Sequence, residues 1–164
     1  MSVTTIPTAG IADNAVTAAK ATGFGKIGQV LQTTHTTQIE TNSTSFTDAG
    51  VDVTITPSAT SSKILLMTST SAIHISTTSA GGEALVKFYA DDVAIGDEYQ
   101  VAKSRQNSSF NNEAGGGGTA MFLHSPSSTS AIKYSLYIRM NTGTYERFCQ
   151  NGHGLTFTAM EVLA

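Results

Sequence analysis

The stretch that decides the fold is SPSSTSAIKYSLYIRM, residues 125–140, which has an echo in TPSATSSKILLMTST, residues 56–70. In both, a Pro-Ser pair opens a Ser/Thr cluster that leads directly into strand-like sequence. Proline fixes φ at about −65° and lacks an amide donor, so both prolines belong in turns. Residues 132–140 then alternate between apolar and polar side chains, which is typical of a half-buried strand. The stretch therefore predicts a turn that feeds a strand.

The rest of the chain after residue 25 repeats this pattern of turns and short apolar segments. Val51, Val53 and Ile55 alternate with polar residues, whereas residues 64–67 are apolar on both faces. A two-sided apolar strand in an antiparallel protein needs cover from a second sheet on one side and from a neighbouring subunit on the other. About eight to ten strands without helical periodicity predict an all-β, antiparallel, jelly-roll-like sandwich over residues 26–164.

Residues 1–25 differ from this pattern. Apolar side chains recur at helical spacing in IADNAVTAAKA, residues 11–21, but this piece is too short to be a stable isolated helix, for which about 12–15 residues are already marginal. The alternatives are a loose linker and an extended or helical anchor that docks on another protein. As an anchor, it would present Ile6, Pro7, Ile11 and Val16.

Composition limits the classes of function. Hydrophobic residues make up 40% and charged residues 13%, with a net charge of −3 and a pI near 5.7, so the basic surface of a nucleic-acid-binding protein is missing. With a single cysteine, no intrachain disulfide can form. The sequence contains neither an apolar run long enough to span a membrane nor a signal peptide. We expect synthesis in a cytoplasm without membrane insertion, either as a soluble protein or as part of a larger assembly.

The region after residue 90 contains the predicted loops. Asp91-Asp92 reads as a hairpin turn into a short strand, residues 93–95. Residues 96–118 read as irregular and end in the glycine run 115–118, which suits either a mobile loop or close backbone approach. This region would face a receptor, and its candidate contact residues are Tyr99, Arg105, Phe110 and Asn111.

Catalytic motifs are absent from the sequence, and its four histidines are dispersed. Cys149 and His153 lie four apart, a spacing that suits a metal site or a thiol–imidazole pair as well as a buried cysteine beside a turn. A carboxylate cluster could flank a glycosidic bond or bind Ca²⁺, although solvated turn residues are the plainer interpretation; its members are Asp91, Asp92, Asp97 and Glu98. We predict a non-enzymatic protein without a cofactor.

Several segments together resemble a known family, the small β-domains of tailed-phage fibre proteins, especially those of aquatic phages. They are GKIGQVLQTT (25–34), TSFTDAGVDVTITPSATSSKILLM (44–67), SPSSTSAIKYSLYIRM (125–140) and LTFTAMEVLA (155–164). AGIADNAVTAAKA (9–21) is similar to a linker repeat that precedes such domains. The resemblance implies a trimeric virion protein, either a fibre or a surface decoration, without catalytic residues. The linker-like repeat occurs once, which favours a short fibre over a long shaft.

These observations lead to one leading hypothesis, a short trimeric tail fibre that takes part in host attachment and is located in the virion. Its subunits would meet through Leu65, Met67 and Tyr137. Residues 1–25 would bind another virion protein, and the loops would contact a host glycan or protein. The alternative is a capsid decoration protein, and a carbohydrate-binding module or depolymerase is a further possibility.

Overall fold

The computed structural model describes residues 26–77, 81–104 and 112–163. Within these ranges the chain forms ten β-strands, a 3₁₀ turn at Gln150–Gly152 and no α-helix. The strands are β1 (Lys26–His35), β2 (Ile39–Thr41), β3 (Thr47–Ile55), β4 (Lys63–Thr77), β5 (Glu83–Ala90), β6 (Val93–Lys103), β7 (Asn112–His124), β8 (Ile132–Met140), β9 (Tyr145–Phe148) and β10 (Leu155–Leu163). The predicted anchor and three of the candidate receptor residues, Arg105, Phe110 and Asn111, lie outside the described residues.

All pairings between these strands are antiparallel, and they form two sheets. Sheet A is built around β4, the longest strand. Strand β7 follows one edge of β4, while β10 and then β9 share its other edge, with β1 beyond β10 and β2 beyond β9. Sheet B has the order β3-β8-β5-β6. The predicted all-β antiparallel sandwich is confirmed.

The core lies between the two sheets. Side chains from alternate positions of each strand meet there, among them Phe88 of β5 and Phe157 of β10, whose ring centroids are 5.8 Å apart. In β8, which follows the second Pro-Ser turn, the apolar set from Ile132 to Met140 points into this core as its alternation predicts. Burial of these side chains on folding supplies the main stabilising free energy of the domain.

The prediction of an irregular region at residues 96–118 is wrong where the structure describes it. Strand β6 continues to Lys103, and β7 begins at Asn112 and includes the whole glycine run 115–118. The hairpin turn is confirmed, since Asp91 and Asp92 both have positive φ values, as a type I′ turn requires. Small residues in β6 and β7 carried no strand signal because strand periodicity is read from large apolar side chains.

The first Pro-Ser turn is fastened by a buried carboxylate. Glu161 of β10 is 1% exposed and accepts hydrogen bonds from the backbone N–H of Ser58 (2.6 Å), the Ser58 hydroxyl (2.7 Å) and the Gln29 amide (3.0 Å). Burial alone would raise the pKa of Glu161, but these hydrogen bonds outweigh it and lower the pKa to about 2. The turn is therefore held to β10 and β1 through one ionised side chain.

Glu161→Gln should make the domain less stable at neutral pH and make its free energy of unfolding depend less on pH in the acid range. Because the pKa of Glu161 in the folded protein lies below the ordinary value of 4.5, the ionised form stabilises the fold above pH 4.5, and this stabilisation is lost as the pH falls towards 2. At about 1.36 kcal/mol per pKa unit, the loss amounts to about 3 kcal/mol. Urea unfolding at several pH values measures it.

Glu98→Gln serves as the control for this prediction. Glu98 is 42% exposed and pairs with Arg139 at the surface, where an ion pair contributes about 0–1 kcal/mol. Equal losses for the two variants would contradict the buried role of Glu161.

Candidate interaction surface

The outer face of sheet A carries apolar side chains across four neighbouring strands, β1, β10, β4 and β7. The strand register aligns them in rows across the sheet. The first row is Ile27, Val162 and Lys63; the second is Val30, Met160, Leu65 and Leu123; the third is Gln32, Thr158, Met67 and Met121; the fourth is Thr34, Thr156, Ser69 and Thr119. The surface therefore grades from apolar at the first two rows to hydroxyl-rich at the fourth.

We call the eight apolar side chains of these rows the apolar face: Ile27, Val30, Leu65, Met67, Met121, Leu123, Met160 and Val162. Four of them are about half exposed, namely Ile27 (52%), Val30 (51%), Met121 (54%) and Leu123 (47%). The eight form one continuous apolar patch, and the largest such patch on a monomer often has a function. Lys63 is the one charged residue in the four rows.

Beyond the hydroxyl row, the outer face of sheet A becomes charged and aromatic. Arg147 of β9 bonds to Glu40 of β2 at 2.6 Å and lies over the ring of Tyr145 at 4.3 Å. The ring of Tyr145 stacks in turn on His74, with centroids 5.9 Å apart. The apolar face is thus confined to the half of the sheet formed by β1, β10, β4 and β7.

The structure brings together two of the three residues predicted to form a subunit interface. Leu65 and Met67 lie half-buried at the centre of the apolar face. Tyr137 lies on β8 in sheet B, on the opposite outer face of the sandwich, so it does not share a surface with Leu65 and Met67. Strands β4 and β8 both carry outward-facing side chains at alternate positions, but a single sequence does not show which sheet each strand joins.

The sequence interpretation missed most of the apolar face. In β7, Met121 and Leu123 face outward while Ala120 and Phe122 face the core, so this strand is apolar on both sides in the same way as residues 64–67. That two-sided pattern is visible in the letters TAMFLH and was the available signal. Ile27 and Val30 share one face because β1 has a register shift between them, and a single sequence does not show such a shift.

The outer face of sheet B has a different chemistry. Tyr89 and Tyr137 stack with ring centroids 3.7 Å apart. Phe46 lies beside two cations, with the Lys87 ammonium 5.9 Å and the Arg139 guanidinium 5.2 Å from its ring centroid. Arg139 also donates a hydrogen bond to a surface carboxylate, that of Glu98, at 2.5 Å. Aromatic and charged groups that are paired with one another suit a surface that stays in water.

Tyr99, the described member of the predicted receptor loop, lies inside strand β6. It is paired with Val86 and turned towards the core, where its ring packs against Phe88 at 5.7 Å. Burial and the nearby charge of Asp97 raise its pKa. The prediction that Tyr99 lies in a loop is therefore wrong.

The candidate catalytic and metal-binding groups are not assembled into a site within the described residues. Asp92 contacts Lys133 at 3.8 Å and Glu98 pairs with Arg139, both on the exposed surface of the β5–β6 hairpin. Cys149 is buried and lies 3.4 Å from the His35 carbonyl oxygen, whereas His153 is exposed. The described part of the chain has no cavity and no cluster of three potential metal ligands.

Glu146 is a buried carboxyl group that the sequence interpretation did not single out. It lies on β9 between Thr41 of β2 and Ile75 of β4, is fully buried, and neither of its oxygens has a hydrogen-bond partner among the described residues. Desolvation raises its pKa to about 9, against a smaller opposing effect of Arg139. Glu146 is therefore protonated at neutral pH.

Comparison with known proteins gives a likeness at the level of shape alone. No protein-family model and no curated protein matches the chain. Among solved structures, the chain is similar to the infectious bursal disease virus VP2 subviral particle, with 13% identity over 83% of this chain and a TM-score of 0.38. It is also similar to the protein of the T13 particle of that virus, with 13% identity over 83% of this chain and a TM-score of 0.33.

The chain spans 38% and 36% of those two chains, respectively. TM-scores below 0.5 do not define a common fold, so these likenesses do not indicate a function for this chain. A search of the described residues for a helix long and apolar enough to cross a membrane finds none.

Proposed function

We propose that this protein is a non-enzymatic structural component of a virion, and specifically a short trimeric tail fibre that takes part in host attachment. The observation that carries the proposal is the apolar face of sheet A, which is large and nearly uncharged. A continuous apolar patch with few charges is often a site of function, and in an assembly component that function is burial against a neighbour. The sequence resemblance to tailed-phage fibre domains supports the same function.

The two outer faces of the sandwich suit different neighbours in such a fibre. The apolar face of sheet A would lie inside the assembly. The outer face of sheet B, with the Tyr89–Tyr137 stack and the cations near Phe46, would remain exposed to the host. Aromatic rings beside charged groups are common at recognition surfaces, so host contacts are expected on sheet B.

Removing residues 1–25 should abolish binding to the virus particle and leave the β-domain folded. This follows because the sandwich core is built from residues of the described strands, while the N-terminal segment is the proposed attachment to the particle. Circular dichroism would check the fold, and co-sedimentation of the purified chain with particles that lack it would check the attachment. A truncated chain that still bound such particles would show that the anchor lies elsewhere.

A capsid decoration protein is the second candidate, because the apolar face could equally cover a neighbouring capsid subunit. The two candidates differ in what the purified protein binds. A fibre binds host cells and tail-containing particles, whereas a decoration protein binds bare capsids. Electron microscopy of particles carrying a tagged chain would separate the two, since density on the head would contradict the fibre.

A further inference from the structure

We infer that the apolar face of sheet A is a contact between copies of this chain, in which the A sheets of three protomers face one another around a three-fold axis. The inference deepens the proposed function and rests on it, because a virion component is expected to assemble. It also restricts that proposal, since it assigns the self-contact to sheet A and leaves Tyr137 and the rest of the outer face of sheet B free.

The composition of the face is that of a protein interface. Three of the five methionines of the chain lie on it, at positions 67, 121 and 160. Methionine is enriched at interfaces because its flexible, polarisable side chain adapts to a partner surface, and charged residues are depleted at interface cores. Lys63 lies in the first row, at the end of the face, where an interface tolerates a charge at its rim.

The make-up of the face fits a self-contact of standard size. A standard interface buries about 800 Å² on each partner, of which about 56–58%, or about 450 Å², is non-polar. Eight neighbouring apolar side chains, four of them about half exposed and four partly exposed, supply non-polar area of this kind. The remaining area would come from the adjoining hydroxyl row, where Thr119 bonds to Ser69 at 3.3 Å, and from Gln32, which bonds to Thr158 at 2.9 Å.

The shape of the face favours a second sheet over a single segment. Four strands with a spacing of about 4.8 Å make a surface roughly 14–19 Å wide. A helix formed by residues 1–25 would be about 10–12 Å across, and one extended strand would be narrower, so either would leave part of the width in water. The other copies of the chain offer sheets of the same width and the same chemistry, so three A sheets that face the axis cover one another across their whole width.

The test compares charged substitutions on the apolar face with one placed elsewhere. The full chain carrying both Met121→Glu and Leu123→Glu should be monomeric in sedimentation velocity at concentrations where the wild type is an oligomer, with self-affinity at least 100-fold weaker. The side chains of Met121 and Leu123 are about half exposed in the protomer, so the fold should tolerate the change, as circular dichroism would show. Val93→Glu is the control, because Val93 is 66% exposed on the β5–β6 hairpin and should leave the oligomer intact.

Each other outcome overturns the inference. A wild-type chain that is monomeric at 100 micromolar has no self-contact, and a doubly charged variant that stays oligomeric places the contact elsewhere. A monomeric full chain that associates only after removal of residues 1–25 assigns the face to that segment.

A second measurement, particle binding by the same proteins, distinguishes a failure of the self-contact from a failure of the proposed function. A monomeric wild type that binds particles contradicts the self-contact alone. An oligomer that depends on the apolar face but binds neither particles nor cells contradicts the proposed function alone.

Discussion

Replacing Glu146 with glutamine should raise the free energy of unfolding by about 3 kcal/mol at pH 7 and by about 6 kcal/mol at pH 9. The reason lies in the position of this carboxyl group, which is fully buried between β2 and β4 without a hydrogen-bond partner among the described residues. Glutamine has nearly the same shape and cannot ionise, so it removes the cost of taking up a proton on folding and keeps the packing.

The direction of this pH dependence follows from proton binding. In the folded protein the pKa of Glu146 is about 9, whereas the unfolded chain releases the proton near the ordinary value of 4.5. Between these values the folded state binds one more proton, so stability is complete below pH 4.5 and falls by about 1.4 kcal/mol per pH unit as the pH rises to 9. Urea unfolding of wild type and Glu146→Gln over pH 4–9 measures the difference.

Taking the difference between the two proteins removes the contribution of every other titrating group. The charged group of β8 that acts on Glu146 is Arg139, which lowers the pKa and so works against the effect. A difference that stayed constant from pH 4.5 to pH 9 would show that Glu146 is ionised in the folded protein and that Arg139 compensates its charge.

The two buried glutamates show why side-chain environments were not predictable although the fold was. The alternation of β8 predicts its buried face, and the same pattern predicts the sandwich. Glu146 and Glu161 are both flanked by alternating residues in short strands near the C-terminus. Their pKa values shift in opposite directions, because Glu161 meets the Ser58 turn across the sheet while Glu146 meets Ile75 and Thr41. Those neighbours are set by strand register, which one sequence does not contain.

The interaction surface was also predictable only in part. Residues 64–67 showed that one strand needs cover on both sides, and the structure places Leu65 and Met67 at the centre of the apolar face. The width of the apolar face results from the pairing of β4 with β10 and β7 and of β10 with β1, strands that are distant from one another in the sequence. Tyr137 was grouped with Leu65 for the same physical reason, an exposed apolar side chain on a strand, and only the sheet order separates them.

The glycine run is the case in which two interpretations of the same letters were open and the structure favours one. Glycines 115–118 suited either a mobile loop or close backbone approach, and they lie in β7. A Cβ added at Gly118 would lie 2.3 Å from the carbonyl oxygen of Val101 in β6. Glycine at this position lets β7 of sheet A pass close to β6 of sheet B, which joins the two sheets at that side of the sandwich.

Gly118→Ala should therefore destabilise the domain by about 3 kcal/mol or more, since the new methyl group meets backbone atoms that no side-chain rotation can move away. Gly116→Ala in the same strand is a matched control: a Cβ there has no atom within 4 Å, so its effect should stay within about 0.5 kcal/mol. Thermal or urea unfolding of both variants measures the difference. A flexible-loop role for the run would make the two substitutions equivalent, so equal stabilities would contradict the close approach of β6 and β7.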